Sequence, residues 1–492
     1  MSKSLKTNFL YQSFYQVLIL GIPLVLSPFL TRTLGSESLG TYSYCYSIAN
    51  YFTIFIMLGL LTHGCRKIAA CQNDEEERVT FYTLFFFHLF VSAIVLVLYG
   101  SFVFLFGNDY RTIYLLLFFY LLSCVFDVTW YYYGKENFKS VVIKNSVIKI
   151  VETALIFAFI RQPSDLIWYV LIVCISIFVG QMLLLPPILK KHKIYRPKFS
   201  DLKPHIVPLL FLTLSVIAIN VYTILDKTFI GIFVKDNNSS VAFYDYSEKI
   251  AKLPITILNV LGAVLLPKMS SLHAKGNAEE MKKIIHGANV LLSCLACGAC
   301  FGLMAISRIV MPIYYGDDFA ICGDYLLYLC PLIIVIPFGA SIRNSFLIPS
   351  GRDKEYLISL VVAAIINLTL NLILIPNIGV IGAIIGTICS EIVACALQFF
   401  FVRKELPIWK YFLELLPFVA LGALMFFGIM LLNNYLSNTL ITVLIDVAVG
   451  ASFYLIFAGV YLLTTHRWIF NSLFARRKVN ENSCSSTDEV EQ

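Results

Sequence analysis

The twelve residues FYDYSEKIAKLP (243–254) place Asp245, Glu248, Lys249 and Lys252 within eight positions of one another. The chain around them is 14% charged and 59% hydrophobic over 492 residues, with 40 Phe and 28 Tyr. Soluble domains carry about 25% charged residues, and this composition could not cover a water-facing surface. Runs of about 20 mostly apolar residues recur along the whole length, each long enough to cross about 30 Å of hydrocarbon as a helix. The charged stretch lies inside one of these runs, so the chain reads as an all-α, polytopic integral membrane protein.

Fourteen transmembrane helices are expected, at about 9–30, 41–62, 79–106, 112–133, 141–160, 166–189, 206–232, 241–268, 287–311, 321–348, 356–375, 380–402, 411–431 and 440–464. The first run is too long for a signal peptide and no Ala-x-Ala-like site follows it, so it reads as a helix that is retained. With the N-terminus inside, 27 of the 37 Lys and Arg fall on inner segments and 4 (Arg32, Arg111, Arg161, Lys235) on outer loops. That bias puts both termini in the cytoplasm and explains the net charge of +7 as orientation and affinity for anionic headgroups, not as nucleic-acid binding. The longest loop, 190–205, divides the chain into an N-lobe (1–200, helices 1–6) and a C-lobe (201–405, helices 7–12). Helices 13–14 (406–466) and a polar cytoplasmic tail (467–492), read as disordered, follow. No outer loop is large enough for a soluble catalytic domain.

The lobes carry a weak repeat. GTYSYCYSIA (40–49) aligns without gaps on AFYDYSEKIA (242–251), matching Tyr42, Tyr44, Ile48 and Ala49 to Tyr244, Tyr246, Ile250 and Ala251. Both segments lead from an outer loop into an inward-running helix. A repeat of like orientation points to two lobes related by an axis along the membrane normal, around a central cavity.

Helix 8 begins near Val241 on the outer side, so Lys249 and Lys252 fall about 12–17 Å into the membrane. Asp245–Lys249 and Glu248–Lys252 both set the acid four residues before the base, the favourable order. An unpaired charge facing lipid costs about 2.5–3.5 kcal/mol, so four are tolerated only if they pair and face protein or water. Helix 5 carries a second stripe, Asn145, Lys149 and Glu152, with Lys144 near its inner end. Helix 7 adds Asp226 and Lys227, helix 4 Asp127, helix 12 Glu391, helix 10 Arg343 with Asn344, and helix 11 the i, i+4 pair Asn367 and Asn371. Taken singly, these are ion pairs that fix helix orientation. Because the charges are spread over six helices, the set reads better as a wet cavity, where bases attract an anionic headgroup and acids carry a proton.

Other signals carry less. Cys294, Cys297 and Cys300 have metal-like spacing but lie in an apolar helix rich in Gly and Ala, where small residues pack; the other ten Cys show no disulfide pattern. Trp130 to Tyr133 read as an interfacial aromatic belt. No Walker, G-x-S-x-G or H-E-x-x-H motif is present. His63, His88 and His286 are isolated in the sequence, and no metal or cofactor is expected.

The stretches FDVTWYYYGKENFK (126–139), LDKTFIG (225–231), YDYSEKIAKLP (244–254), VLLPKMSSLHAKGNAEE (264–280), LIPSGRDKEY (347–356) and NLTLNLILIPNIGVIGAIIGTICSE (367–391) together resemble bacterial Wzx-type oligosaccharide repeat-unit flippases. These are polysaccharide transporters of the multidrug/oligosaccharidyl-lipid/polysaccharide exporter superfamily. The resemblance implies fourteen helices in two lobes with alternating access. It also implies a monomer in the bacterial cytoplasmic membrane, working beside other polysaccharide assembly proteins, and no enzyme activity. The implied cargo is an undecaprenyl-diphosphate-linked oligosaccharide for capsule, exopolysaccharide or O-antigen, with transport coupled to a proton or ion gradient. Lys249 and Lys252, supported by Lys149, Arg343, Asn145 and Lys227, become the candidates for substrate contact. Asp245, Glu248, Asp226, Glu152, Asp127 and Glu391 become those for ion pairing or coupling. Relatives that carry peptidoglycan precursors have further Arg in their first two helices, which this chain lacks. A drug exporter of the same superfamily would bind cations through acids, and the bases of helix 8 count against it. A membrane glycosyltransferase or polymerase would need a larger outer loop.

Overall fold

The computed structural model describes residues 3–236, 238–437 and 439–468. Long apolar runs become helices because hydrocarbon leaves no other way to satisfy backbone N–H and C=O groups. Eleven helical segments among the described residues are long and apolar enough to cross a membrane. Leu18–Ala69 counts as one segment there, but the helix Lys3–Met57 turns at Gly35, whose φ of +73° breaks the helical path. Glycine enters that left-handed region without a Cβ penalty. The two arms are α1 (3–34) and α2 (36–57), and a short helix, Leu60–Ala69, continues α2.

The further spans are α3 (Asp74–Phe106), α4 (Arg111–Val125), α5 (Phe138–Phe159), α6 (Leu166–Met182), α7 (Phe199–Phe233), α8 (Ser239–Ala274) and α9 (Ala278–Tyr315). Then come α10 (Cys322–Leu347), α11 (Asp353–Ile378), α12 (Val380–Val402), α13 (Ile408–Asn433) and α14 (Leu440–Thr465). Lys144, Lys149 and Glu152 interrupt the apolar character of α5 without interrupting the helix. The protein is thus an all-α membrane protein, with every expected helix present. Beyond Trp468 the tail lies outside the described residues. Starts are written in the sequence: Asn73 accepts from Glu76 N at 2.8 Å ahead of four acids in the first turn of α3, a cap that also suits the helix dipole.

Two compact units emerge. The first comprises the described residues to Tyr246, with Tyr314–Cys322 and Leu360–Ser390; the second comprises Ser247–Ile313, Gly323–Ser359 and the described residues from Glu391 on. In the first, α1 and α2 pack on α3, α4, α5, α6 and α7. One core cluster joins Phe81, Tyr82, Trp130, Tyr131, Tyr132, Leu184 and Ile188. Trp130 is completely buried and stacks on Phe81, with ring centres 5.6 Å apart. The expected aromatic belt is therefore corrected: three of its four residues, Trp130 to Tyr132, are core. All three have polar handles that find partners: Trp130 Nε1 donates to Asp127 O at 3.1 Å. Tyr132 donates to Leu184 O at 2.8 Å and Tyr131 to Glu77. Glu77 is only 2% exposed and also holds Lys135 at 2.7 Å and Lys191 at 2.6 Å, so a charge from a polar loop sequence becomes an internal staple.

The repeat segments meet. Gly40 has no Cβ because one would lie 1.9 Å from the Asn238 carbonyl oxygen and 3.3 Å from Ala242 N. Three residues on, Ser43 donates to Asp245 at 3.1 Å. Gly40 aligns with Ala242 and Ser43 with Asp245, so each residue touches its own counterpart. That is the signature of a local two-fold axis. Within the second unit, α13 packs on α14, and Cys294 and Cys297 of α9 belong to a cluster with Phe418, Met425 and Tyr454.

Gly40→Val is expected to lower the apparent melting temperature of the detergent-purified protein by several degrees, since overpacking costs about 1–3 kcal/mol. Gly21→Val, at a glycine with nothing within 4 Å of its missing Cβ, is the matched control and should leave it unchanged.

Candidate functional site

The first unit gathers a polar site around two adjacent residues of α7. Asp226 is 3% exposed. It accepts from Tyr244 Oη (2.6 Å) on α8, from Asn371 Nδ2 (2.6 Å) and Asn367 Nδ2 (3.3 Å) on α11, and from Thr387 Oγ1 (2.5 Å) on α12. Four helices are pinned to one carboxylate. Asn371 also donates to Asn367 Oδ1 at 3.0 Å, while its own Oδ1 is buried with no hydrogen-bond partner among the described residues.

Lys227 turns to the other side and pairs with Asp245 of α8, which also takes the Ser43 hydroxyl. The α7 dipeptide Asp226–Lys227 and the α8 dipeptide Tyr244–Asp245 are thus cross-matched. Next to them Thr228 meets Ser47 (3.0 Å) and Tyr51 (3.2 Å) of α2. Tyr46 donates to Tyr120 (3.0 Å), which donates to Asn50 (2.9 Å). This hydroxyl ladder was missed from the sequence. Its signal was the density of Ser, Thr and Tyr in residues 41–51, SIANY and what precedes it, at a place where lipid-facing helices carry Leu and Ile.

On α5 Lys149 pairs with buried Glu152 at 2.6 Å, and Asn145 hydrogen-bonds with Tyr15 of α1. Tyr169 of α6 is buried close to both Glu152 and Asp245, linking the α5 stripe to the α7–α8 site. Asp127 is different from its expected place on an unbroken helix. Helix α4 stops at Val125 and a short helix resumes at Thr129; the carboxylate accepts from Thr129 N (2.8 Å) and Oγ1 (2.6 Å) and caps that restart.

In the second unit Glu248 is buried and holds Lys252 at 2.6 Å, with the Lys252 side chain 51% exposed. Lys249 is exposed as well. Helix α8 therefore buries its acids and presents its bases, the arrangement in which an acid can hold a lysine in place without removing it from contact with an anion. Arg343 opens a π-helical turn, Arg343–Leu347, and its guanidinium lies over Tyr356, 5.4 Å from the ring centre. Such turns cluster at functional sites. Glu391 is half-buried on α12. Of the predicted residues, Asp226, Lys227 and Asp245 come together directly, Lys149 with Glu152, and Glu248 with Lys252.

Comparison with known proteins follows the same lines. The family model described as "Polysaccharide biosynthesis protein" matches residues 5–273. A Shigella dysenteriae protein named as an O-antigen transporter is 22% identical over 377 residues, covering 75% of this chain and 93% of that protein. Among solved structures, the lipid II flippase MurJ in an inward closed conformation superposes with a TM-score of 0.75 at 17% identity, over 93% of this chain and 98% of that one. An inward-facing multidrug resistance MATE transporter gives 0.61 at 14% identity, over 81% and 95%. At these identities the two structures speak to fold alone.

Lys227→Met leaves the buried Asp245 carboxylate without this ammonium, and breaking a buried pair from one side costs about 3–5 kcal/mol. The double variant Lys227→Met/Asp245→Asn should melt above the single Lys227→Met in detergent, a positive coupling in a double-mutant cycle. A double variant that melts at the sum of both losses would mean that the pair is not coupled.

Proposed function

This chain belongs to the polysaccharide biosynthesis protein family, and from that premise we propose that it flips a diphosphate-linked polyprenyl oligosaccharide across the cytoplasmic membrane by alternating access. It is a multi-pass membrane transporter, not an enzyme. The observation that carries the substrate reading is the charge sorting on α8: acids buried, Lys249 and Lys252 exposed, inside a span that is otherwise apolar.

A diphosphate brings about two negative charges that cannot enter hydrocarbon unpaired. Lys249 and Lys252 meet it as compact cations on long stems, and Arg343 adds a planar fork suited to phosphate oxygens. Once Lys252 turns from Glu248 to the substrate, Glu248 is the carboxylate that a coupling proton neutralises. The sugars need only water and hydroxyl groups, while the polyprenyl tail stays in the bilayer. With both termini cytoplasmic, the substrate enters from the inner leaflet, and the product serves capsule, exopolysaccharide or O-antigen assembly.

Asp226 is the second coupling group in this reading. Hydroxyl and amide groups from α8, α11 and α12 hold it, and they exchange hydrogen bonds for a cation's demands more readily than a packed apolar core could. The Asn371 Oδ1 atom, unpartnered among the described residues, offers a further acceptor at the same place.

Replacing both Lys249 and Lys252 with Ala should abolish complementation of a flippase-deficient strain at normal membrane abundance; full complementation refutes their role. Asp226→Asn keeps the shape and removes the charge. Vesicles carrying it should no longer respond to an imposed proton or sodium gradient, and an unchanged response would remove Asp226 from the coupling.

A further inference from the structure

We propose that His286, Glu414 and His466 form a divalent transition-metal site that ties α9 and α13 to the end of α14. The three residues are 128 and 52 positions apart in the chain, so no spacing motif announces them, and His286 looked isolated. In the fold their ligand atoms all lie within 4.8 Å of one another.

Each donor is placed by a helix end. His286 stands in the third turn of α9. Glu414 is in the second turn of α13 and meets His286 Nε2 at 2.7 Å. His466 is the C-cap of α14, its N–H bonded to Leu462 O at 2.9 Å. Two further ligand-type atoms of these residues are buried without a hydrogen-bond partner among the described residues. His466 is only 4% exposed, and its Nε2 has no partner among the described residues; nor has Glu414 Oε2. A buried polar atom left unsatisfied costs about 1–3 kcal/mol, and an ion bound by both residues of this cluster would satisfy both atoms' need at once.

The chemistry of the set selects the ion. Two imidazoles and one carboxylate suit zinc and neighbouring first-row metals, not calcium or magnesium. Two ligands about 2.1 Å from one tetrahedral ion lie about 3.4 Å apart. The His286–Glu414 hydrogen bond must therefore open by less than an ångström, with water taking the fourth position. Aromatic walls shield the site: Trp468 and Tyr411 flank His286 at 5.4 and 6.0 Å, and Tyr461 flanks His466 at 5.8 Å. Two cations oppose binding. Lys410 lies 4.0 Å from Glu414 and Lys283 sits over the Trp468 ring; both are long enough to swing outward.

The test uses the full chain in detergent, stripped with chelator and titrated with Zn²⁺. Wild type should bind one ion and melt higher when loaded. His466→Ala and Glu414→Gln should each weaken binding by at least about ten-fold. Equal affinity in wild type and His466→Ala overturns the site and leaves His286–Glu414 as a plain hydrogen bond beside Lys410. X-ray absorption on Zn²⁺-loaded wild type gives an answer that does not depend on how any variant folds. A shell of nitrogen and oxygen with imidazole scattering supports the site. A sulfur shell at about 2.3 Å assigns the ion to cysteine and overturns it.

Discussion

A carboxylate inside a membrane protein must be answered by donors or cations wherever it lies, and the crossing of α7 and α8 is built on that demand. Asp226 takes Tyr244 and Asp245 takes Lys227, so two adjacent residues on each helix fix both the register and the rotation of the pair. A slide by one turn would leave two acids and a lysine in a low-dielectric interior without their partners. Asn367, Asn371 and Thr387 extend the same demand to α11 and α12, so the last segment of the first unit is drawn to α7 by one charge.

The same logic explains how far the sequence could be read. Every span was legible because twenty apolar residues have one solution in lipid, and the charged face of α8 was legible because it had no soluble surface to occupy. Partners were not. Asp245 and Lys249 are four residues apart and invite pairing, yet Lys227 on the next helix reaches Asp245 too. Asn367 and Asn371 were visible as a pair, while the acid they serve lies 141 positions upstream of the first. Trp130 to Tyr132 looked interfacial because aromatic clusters often are; the buried Glu77 that Tyr131 serves comes from a segment that reads as loop. The break at Asp127 was hidden for a similar reason, since Thr129 supplies a cap only once the backbone has left the helix.

The repeat gained meaning from contact. Four matches in ten residues say little about symmetry, but Ser43 bonded to the residue that aligns with it places a two-fold axis between them. The polar content of the two copies has diverged across that axis: hydroxyls on α2, ionised groups on α8. One copy has kept packing and the other has taken charge.

The turn at Arg343–Leu347 closes with Ile348 N–H on Arg343 O at 3.0 Å, five residues back instead of four. Such a loop holds one residue more than the helix around it, so side chains beyond it are turned by about 100° relative to those before it. Arg343 stands on that seam. Handing a single amide from one carbonyl to the next would swing the guanidinium around the helix while the span itself stays still.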